Sequence, residues 1–287
     1  MADYELGENR YGKSRIRLVT VRRDGDRHDL RDLTVDVSLE GDFEAAHVGG
    51  DNANLVATDT MKNTVYAFAK DRLTGSPEAF GLELARHFAA GPQISRATIS
   101  LREHAWSRID VDGRPAPDAF LRSGAATRTA TVSVAGDRSA VEAGIEDLTV
   151  LKTTRSAFSG FERDRYTTLA DTDDRIMATR ITATWGYGEA APAGDFDFDA
   201  AHGALTERLL ATLAEHESLS VQASIWIMGT AMLDAEPAID WVRMILPNLH
   251  HWRVDLEPFG LENPNEIFVS TTEPHGLIDA TVRRRAR

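Results

Sequence analysis

The start of the chain alternates apolar and polar side chains with the period of two that is typical of β-strands. The apolar positions on one face are Ile16 and Leu18 in a first segment and Leu33, Val35, Val37 and Leu39 in a second. The turn-forming sequence Asp24-Gly25-Asp26 separates the two segments. The pattern therefore predicts two neighbouring strands joined by a turn.

Two helices are predicted after these strands. Met61, Val65 and Phe68 recur at spacings of four and three, and Thr58 or Asp59 stands where an N-cap is expected. The second helix has Ser76 as its cap, Pro77 in its first turn and an apolar face formed by Phe80, Leu84 and Phe88. Strands around Ile99 and Val132 follow, on either side of a predicted loop over residues 110–124.

The second half of the chain repeats this plan loosely. We predict strands over residues 148–153 and 181–185, a short helical segment after Phe161, and a helix along the face of Leu205, Leu209 and Leu213. Two further strands are predicted over residues 221–232 and 252–256. Strands with helices grouped between them indicate an α+β fold with antiparallel sheet. We expect two tandem domains, residues 1–140 and 141–287, with a hinge between residues 136 and 144.

Composition and net charge limit which molecules the protein can bind and which chemistry it can use. The chain has 287 residues and a formal net charge of −13, and its basic residues cluster only in the C-terminal tail from Arg283 to Arg287. The net charge therefore argues against nucleic acids and anionic membranes as partners. The absence of cysteine excludes disulfides, thiolate catalysis and Cys-ligated zinc. With no apolar signal segment and no C-terminal Ser-Lys-Leu, we expect a bacterial cytoplasmic location.

Five separated motifs carry a family resemblance. They are Tyr11-Gly12-Lys13, the segment around Thr58-Asp59, the pair Phe158-Ser159-Gly160-Phe161 and Asp174-Arg175-Ile176, the segment Ser220-Val221-Gln222-Ala223, and Leu246-Pro247-Asn248-Leu249-His250. In this order, from about residue 11 to residue 282, the chain resembles the urate oxidase (uricase) family.

The resemblance implies a specific architecture. The family has two tandem tunnelling-fold (T-fold) domains per chain, whose antiparallel sheets carry helices on the outer face. Sheets from several subunits close into an intersubunit β-barrel, which removes exposed sheet edges. We therefore expect a homotetramer with active sites at subunit interfaces.

For substrate binding, the resemblance assigns seven residues, which are Thr58, Asp59, Phe158, Arg175, Val221, Gln222 and Asn248. Phe158 stacks on the purine plane, Arg175 grips one edge with paired donors, and Gln222 and the backbone N–H of Val221 meet another edge. Without the resemblance these residues have ordinary interpretations. Arg175 would be a surface ion pair, Gln222 a solvent-facing residue on a strand, and Phe158 part of the core.

For catalysis, the resemblance implies a proton relay of Lys13, Thr58 and His250, in which Thr58 meets the Lys13 of a neighbouring subunit. The backbone N–H of Asp59 faces the substrate, and Asn248 holds dioxygen or the attacking water. Many family members have Lys where this chain has Leu249. His250 and His251 are poor joint metal ligands, because adjacent strand residues point to opposite faces.

The implied reaction is the oxidation of urate by O2 and water to 5-hydroxyisourate and hydrogen peroxide, with no metal and no organic cofactor. Two alternatives stay open. A pterin-type T-fold enzyme would need a zinc-binding cluster of His or Cys. A non-catalytic purine-binding homologue would keep Phe158, Arg175 and Gln222 but lack the relay.

Overall fold

The structure, a computed structural model, describes residues 4–189 and 191–285 and has a mixed α+β fold. Its elements divide between two compact units. Unit 1 contains the residues up to Gly144 together with Gly186–His202, and unit 2 contains Ile145–Trp185 together with the residues from Gly203 onward. The end of the basic tail, residues 286–287, lies outside the described residues. The tandem division after residue 140 stays a prediction.

Unit 1 is built on antiparallel strands. The pairs β1-β2, β2-β3 and β3-β6 are antiparallel, β7 follows β6 in the sheet, and β4 and β5 form a separate hairpin. The elements of this part of the chain are β1 (Tyr11–Asp24), β2 (Arg27–Gly41), α1 (Glu44–Gly49), α2 (Thr58–Arg72), α3 (Pro77–Ala89), β3 (Ile94–Glu103), β4 (Trp106–Val111), β5 (Arg114–Arg122), β6 (Thr127–Ala135) and the start of β7 (Arg138–Lys152).

The predicted apolar faces form the core of unit 1. The alternating residues of β2 are buried to 2% exposure or less, and the apolar face of α3, which packs on β3 and β6, is buried as well (Leu33, Val35, Val37, Leu39, Phe80, Leu84 and Phe88). Burial of each such side chain contributes about 1.5–3 kcal/mol. Ser76 caps α3 as predicted, because its hydroxyl accepts the Ala79 N–H at 3.1 Å.

Unit 2 has the strand order β7-β8-β9-β10, and β9 and β10 are antiparallel. Helix α5 packs so closely on β10 that a Cβ at Gly229 would lie 2.6 Å from Val282 Cγ2, which favours glycine there. The elements of this part of the chain are β8 (Met177–Tyr187), α4 (Phe198–Glu215), α5 (Val221–Ala235), β9 (Ile239–Arg253), the 3-10 helix η1 (Glu257–Phe259) and β10 (Phe268–Arg283).

The predicted strand over residues 221–232 is wrong, because this segment is helix α5. The buried residues of α5, among them Val221, Ile225, Met228 and Met232, recur at helical spacing, but the exposed Trp226 and the half-buried Ile227 on its other side hide that period in the sequence. Ser220 is the deciding signal. Its hydroxyl accepts the Ala223 N–H at 3.1 Å and caps the helix.

Other elements differ from the prediction in extent. The strand predicted at 252–256 is β9, which covers Ile239–Arg253, and β10 was missed because its side chains are mostly exposed. The region after Phe161 forms turns rather than a helical segment. The predicted loop 110–124 contains the end of β4, the turn and all of β5, and the turn residues Asp112 and Gly113 both have positive φ (51° and 76°). An Asp-Gly pair is a hairpin signal in itself.

Within the described residues, none of the helices is both long enough and apolar enough to cross a membrane.

Candidate active site

Lys13 lies on β1 opposite Val37, immediately before a β-bulge. The bulge is held by the backbone N–H of Arg15 (φ 59°), which donates to Asp36 Oδ1 at 2.6 Å. At Gly12 the strands approach so closely that a Cβ would lie 1.8 Å from the Val37 carbonyl oxygen. Bulges re-aim neighbouring side chains, so the local backbone fixes where the half-buried Lys13 lies.

The start of α2 differs from the prediction in one respect that matters for binding. Thr58 is the first helical residue, Ala57 occupies the N-cap position, and no side chain caps the helix. The prediction of Thr58 or Asp59 as the N-cap is therefore wrong. The carboxylate of Asp59 instead accepts hydrogen bonds from Lys62 and, at 3.1 Å, from Asn63. The N–H groups of the first turn are left for another acceptor, and they favour an anion.

Tyr11 ties the start of α2 to β1, a role that the sequence motif alone did not reveal. Its hydroxyl accepts the Val56 N–H at 2.7 Å and donates to the Val56 carbonyl at 3.1 Å, and its ring packs edge-on against Phe43 at 4.7 Å. Val56 stands two residues before Thr58. The hydroxyl therefore holds the beginning of the helix against the strand that carries Lys13.

One chain is enough to bring Lys13 and the start of α2 together. The pKa of Asp59 is lowered mainly by the Lys62 ammonium, and Lys13 is near enough to contribute as well. The expectation that Thr58 meets the Lys13 of a neighbouring subunit stays a prediction. Unit 1 by itself supplies Lys13, Thr58 and the Asp59 N–H as one group.

In unit 2, Arg175 is half-buried and lies over an aromatic ring. Its Cζ is 5.3 Å from the centroid of Phe158, and its backbone N–H donates to the Ser156 carbonyl at 2.8 Å. Burial lowers the pKa of this guanidinium from its ordinary value. Its Nε is buried and has no hydrogen-bond partner within the described residues. Asp174, the adjacent carboxylate, accepts from Thr154 (2.9 and 3.0 Å). The buried Nε–H of Arg175 is therefore available to an acceptor atom of a ligand.

Phe158 is fixed on two sides. Its backbone exchanges hydrogen bonds with Thr172 (2.8 and 3.1 Å), and its ring stacks on Phe161 with centroids 5.0 Å apart and planes 10° apart. Phe161 was quoted in the sequence motif without a role, and the stacking supplies one. With Phe161 packed on it, the half-buried Phe158 ring is held as a flat apolar wall beside Arg175.

Val221 and Gln222 are the first two residues of α5, not strand residues as predicted. Val221 is buried at 3% exposure, whereas the Gln222 side chain is exposed. Because they occupy the first turn of a helix, their backbone N–H groups have no intrahelical acceptor. The helix start thus offers the donor that the family resemblance assigns to Val221.

Asn248 and His250 lie on β9 beside an irregular stretch of β10. Asn248 pairs with Gly276 and His250 with Thr271, so residues 272–275 bulge out opposite Leu249. Such bulges are common next to active sites. The His250 ring stacks on Trp252 (5.1 Å, 23°). Burial lowers the pKa of His250, and the charges of Arg175 and His275 lower it further.

Two groups of the predicted residues are therefore assembled, each within one unit. Lys13 and Asp59 interact in unit 1, with Thr58 next to Asp59. Arg175 interacts with both Phe158 and His250 in unit 2.

Comparison with known proteins identifies a single family. A family model described as Uricase matches residues 9–133 and 141–279. The uricase of Arthrobacter globiformis is 46% identical over 280 residues, which cover 97% of this chain and 90% of that protein. The uricase of Aspergillus flavus is 38% identical, with 96% and 95% of the two chains covered.

Solved structures give the same result. The crystal structure of uricase from Arthrobacter globiformis matches with a TM-score of 0.93 over 100% of this chain and 98% of that one. A uricase from Bacillus fastidious, only 22% identical, matches with a TM-score of 0.82 over 96% and 93% of the two chains, which shows a shared fold.

Proposed function

The chain belongs to the uricase family, and we propose that it oxidises urate with dioxygen at a site formed between subunits. Unit 2 binds urate, and unit 1 of a neighbouring subunit supplies Lys13, Thr58 and the Asp59 N–H. One observation carries this assignment. Beside the Phe158 ring, Arg175 keeps a buried Nε–H that has no acceptor among residues 4–189 and 191–285. A planar, anionic heterocycle satisfies both groups at once.

Urate binding follows from the chemistry of these groups. The guanidinium fork of Arg175 donates in parallel to a carbonyl oxygen and a ring nitrogen, and the ring of Phe158 stacks on the purine plane. The start of α5 adds the Val221 N–H and the Gln222 carboxamide, which has both a donor and an acceptor. The partial positive charge of a helix N-terminus favours the urate anion.

Proton transfer is assigned to Lys13, Thr58 and His250. Deprotonated urate donates electrons to O2, a hydroperoxide forms on the ring, and hydrogen peroxide leaves. Water then adds at the same carbon to give 5-hydroxyisourate, so urate, O2 and H2O are converted to 5-hydroxyisourate and H2O2. Asn248 holds the O2 or the water over the ring. A neutral His250 can accept a proton from that water, and its lowered pKa favours this neutral form.

We further propose that the protein is a homotetramer whose sheets close into a barrel. Among the described residues, β1 and β10 each have a strand partner on one side only. Their exposed apolar side chains include Val19 (55%) and Leu277 (63%). Unpaired edges and apolar patches of this kind are normally covered. Light scattering with size-exclusion chromatography measures the assembly, and fractionation of the producing cells tests the proposed cytoplasmic location.

The deciding experiment incubates the purified protein with urate in air and under nitrogen. We expect the ultraviolet band of urate to disappear only in air, with one H2O2 formed per urate consumed. A non-catalytic purine-binding homologue would bind urate in either atmosphere and leave the band unchanged. Urate that is neither bound nor consumed would refute the assignment.

A further inference from the structure

A buried hydrogen-bond chain in unit 2 links His216, Ser224 and Ser218. His216 Nδ1 lies 2.7 Å from the Thr212 carbonyl, His216 Nε2 lies 2.8 Å from Ser224 Oγ, and Ser224 Oγ lies 2.8 Å from Ser218 Oγ. Both serines are 0% exposed. Neither hydroxyl can reach a substrate from solvent, so this histidine–serine arrangement is not a nucleophile. We therefore consider which backbone segments these hydrogen bonds hold together.

The direction of these hydrogen bonds follows from their acceptors. A carbonyl can only accept, so Nδ1 of His216 carries a proton and donates to Thr212. Burial lowers the pKa of His216 and favours its neutral form, in which Nε2 is an acceptor. The Ser224 hydroxyl therefore donates to Nε2 rather than to the Ser220 carbonyl, which lies farther away at 3.1 Å. The Ser218 hydroxyl has two acceptors within reach, Ser224 Oγ at 2.8 Å and the Ser220 carbonyl at 3.3 Å. The hydroxyl protons of Ser218 and Ser224 therefore both have acceptors.

One end of this chain holds the loop that carries Phe158. The Ser218 carbonyl accepts the Ala157 N–H at 2.7 Å, and the Ser218 N–H donates to the Arg155 carbonyl at 2.9 Å. Ser218 thus forms a short parallel bridge with Ser156. The Ser156 carbonyl in turn accepts the backbone N–H of Arg175.

The other end holds the start of α5. Ser224 lies in the first turn of that helix, and its N–H donates to the Ser220 carbonyl at 3.0 Å. Val221 and Gln222 stand between these two serines. The same buried contacts therefore fix the helix start and, through Ser218, the backbone on either side of Phe158 and Arg175.

We propose that His216 and Ser224 are positioning residues for urate, which hold Val221 and Gln222 in register with Phe158 and Arg175. The proposal rests on the proposed function, because it concerns the geometry of that same binding site. Neither residue touches the substrate. Their loss should weaken urate binding and leave the chemical step, which is assigned to Lys13, Thr58 and His250, largely intact.

The test compares Ser224→Thr with Ser224→Val. The two variants add the same volume to the buried site, and only Thr keeps the hydroxyl. We expect the KM for urate, and its Kd measured under nitrogen, to be about tenfold higher for S224V than for S224T, with similar kcat values. His216→Ala should raise KM in the same way. His47→Ala is the matched control, since His47 Nδ1 also lies near the carbonyl four residues earlier (Phe43, 2.9 Å) in unit 1.

The outcomes separate this proposal from the proposed function. If the wild-type protein does not oxidise urate, the proposed function fails whatever the variants do. If the wild type is active and S224V matches S224T in KM and Kd, the positioning role is wrong. The positioning role is also wrong if S224V leaves KM unchanged and lowers kcat only in proportion to the fraction of protein that is folded. That result would describe a residue that contributes only to stability.

Discussion

The guanidinium of Arg175 lies over the ring of Phe158, with 5.3 Å between Cζ and the ring centroid. The two side chains come from opposite ends of one loop, and backbone hydrogen bonds from Ser156 and Thr172 hold those ends together. Removal of the guanidinium from water strengthens its hydrogen bonds to an anion, because the local dielectric is lower than that of bulk solvent. The pair therefore combines an apolar wall with a desolvated cation, which is the combination that urate requires.

Arg175→Ala should weaken urate binding far more than it slows the chemical step. Loss of a charge-assisted, bidentate contact costs about 2 kcal/mol, or about a 30-fold rise in Kd and KM. Arg175→Lys keeps the positive charge but lacks the paired N–H donors, so its Kd and KM should lie between those of the wild type and of R175A. Arg163→Ala is the control, because Arg163 lies over Phe161 and pairs with Asp171 at 3.1 Å. Titration of urate under nitrogen gives Kd, and an unchanged value for R175A would remove Arg175 from the site.

Lys13→Met should slow turnover and leave urate binding intact. The variant loses the amine of the proposed relay, while the binding groups of unit 2 are untouched, so kcat should fall by about 10²–10⁴-fold with Kd retained. Lys70→Met, at the exposed far end of α2, is the control. Wild-type kcat in K13M would refute the relay.

The sequence predicted the elements whose periodicity was regular. The strand face of Leu33 to Leu39 and the helix face of Phe80 to Phe88 are both buried as expected, because a single buried face imposes its period on the sequence. The strand assigned to residues 221–232 is wrong because apolar residues outside the buried face of α5, such as the exposed Trp226, hide its helical period in the sequence. Attention to Ser220 as a cap would have corrected it.

The candidate site depended on the family resemblance rather than on physical signals. Nothing in the pattern distinguishes Arg175 from a surface arginine, since its buried Nε arises from contacts between residues distant in sequence. Tyr11 and His216 were missed for the same reason. Their partners, Val56 and Ser224, become neighbours only after folding, and the hydroxyl and imidazole groups give no local pattern.

Activity should survive removal of metal ions. No group of three or more His, Asp or Glu residues in residues 4–189 and 191–285 is arranged to hold a metal. Dialysis against EDTA should therefore leave kcat unchanged. A loss of activity that zinc restores would favour the pterin-type alternative.

His202 should make the stability of unit 1 depend on pH. Burial, together with the nearby Arg128 charge, lowers the pKa of His202 to about 4 from an ordinary 6.5. The unfolded chain binds the proton more readily between these values, so stability is full above pH 6.5 and is lost as the pH falls towards 4. The contribution at neutral pH is on the order of 3 kcal/mol.

Unfolding of the wild type and of His202→Gln, at equal protein concentration from pH 7 to pH 4, measures this linkage. The exposed His47→Gln is the control. We expect the wild type to lose more stability than H202Q across this range, and parallel curves would contradict the assignment.

The acid limb of the pH–rate profile should report His250. Burial, Arg175 and His275 all lower the pKa of His250, so its neutral form persists below the ordinary range. Because the proposed relay uses the neutral imidazole, kcat should fall only when the pH drops below that lowered pKa.

His275→Asn removes one of the charges that lower this pKa. The pKa of His250 then rises, and the acid limb moves to higher pH. His251→Asn is the control on the same strand, since the His251 ring lies against the Leu249 carbonyl at 3.1 Å. Profiles of kcat at saturating urate for the three proteins decide the point. A limb that stays in place in H275N, or that moves equally in H251N, would mean that the titrating group is not His250, because the charge of His275, unlike that of His251, lowers the pKa of that imidazole.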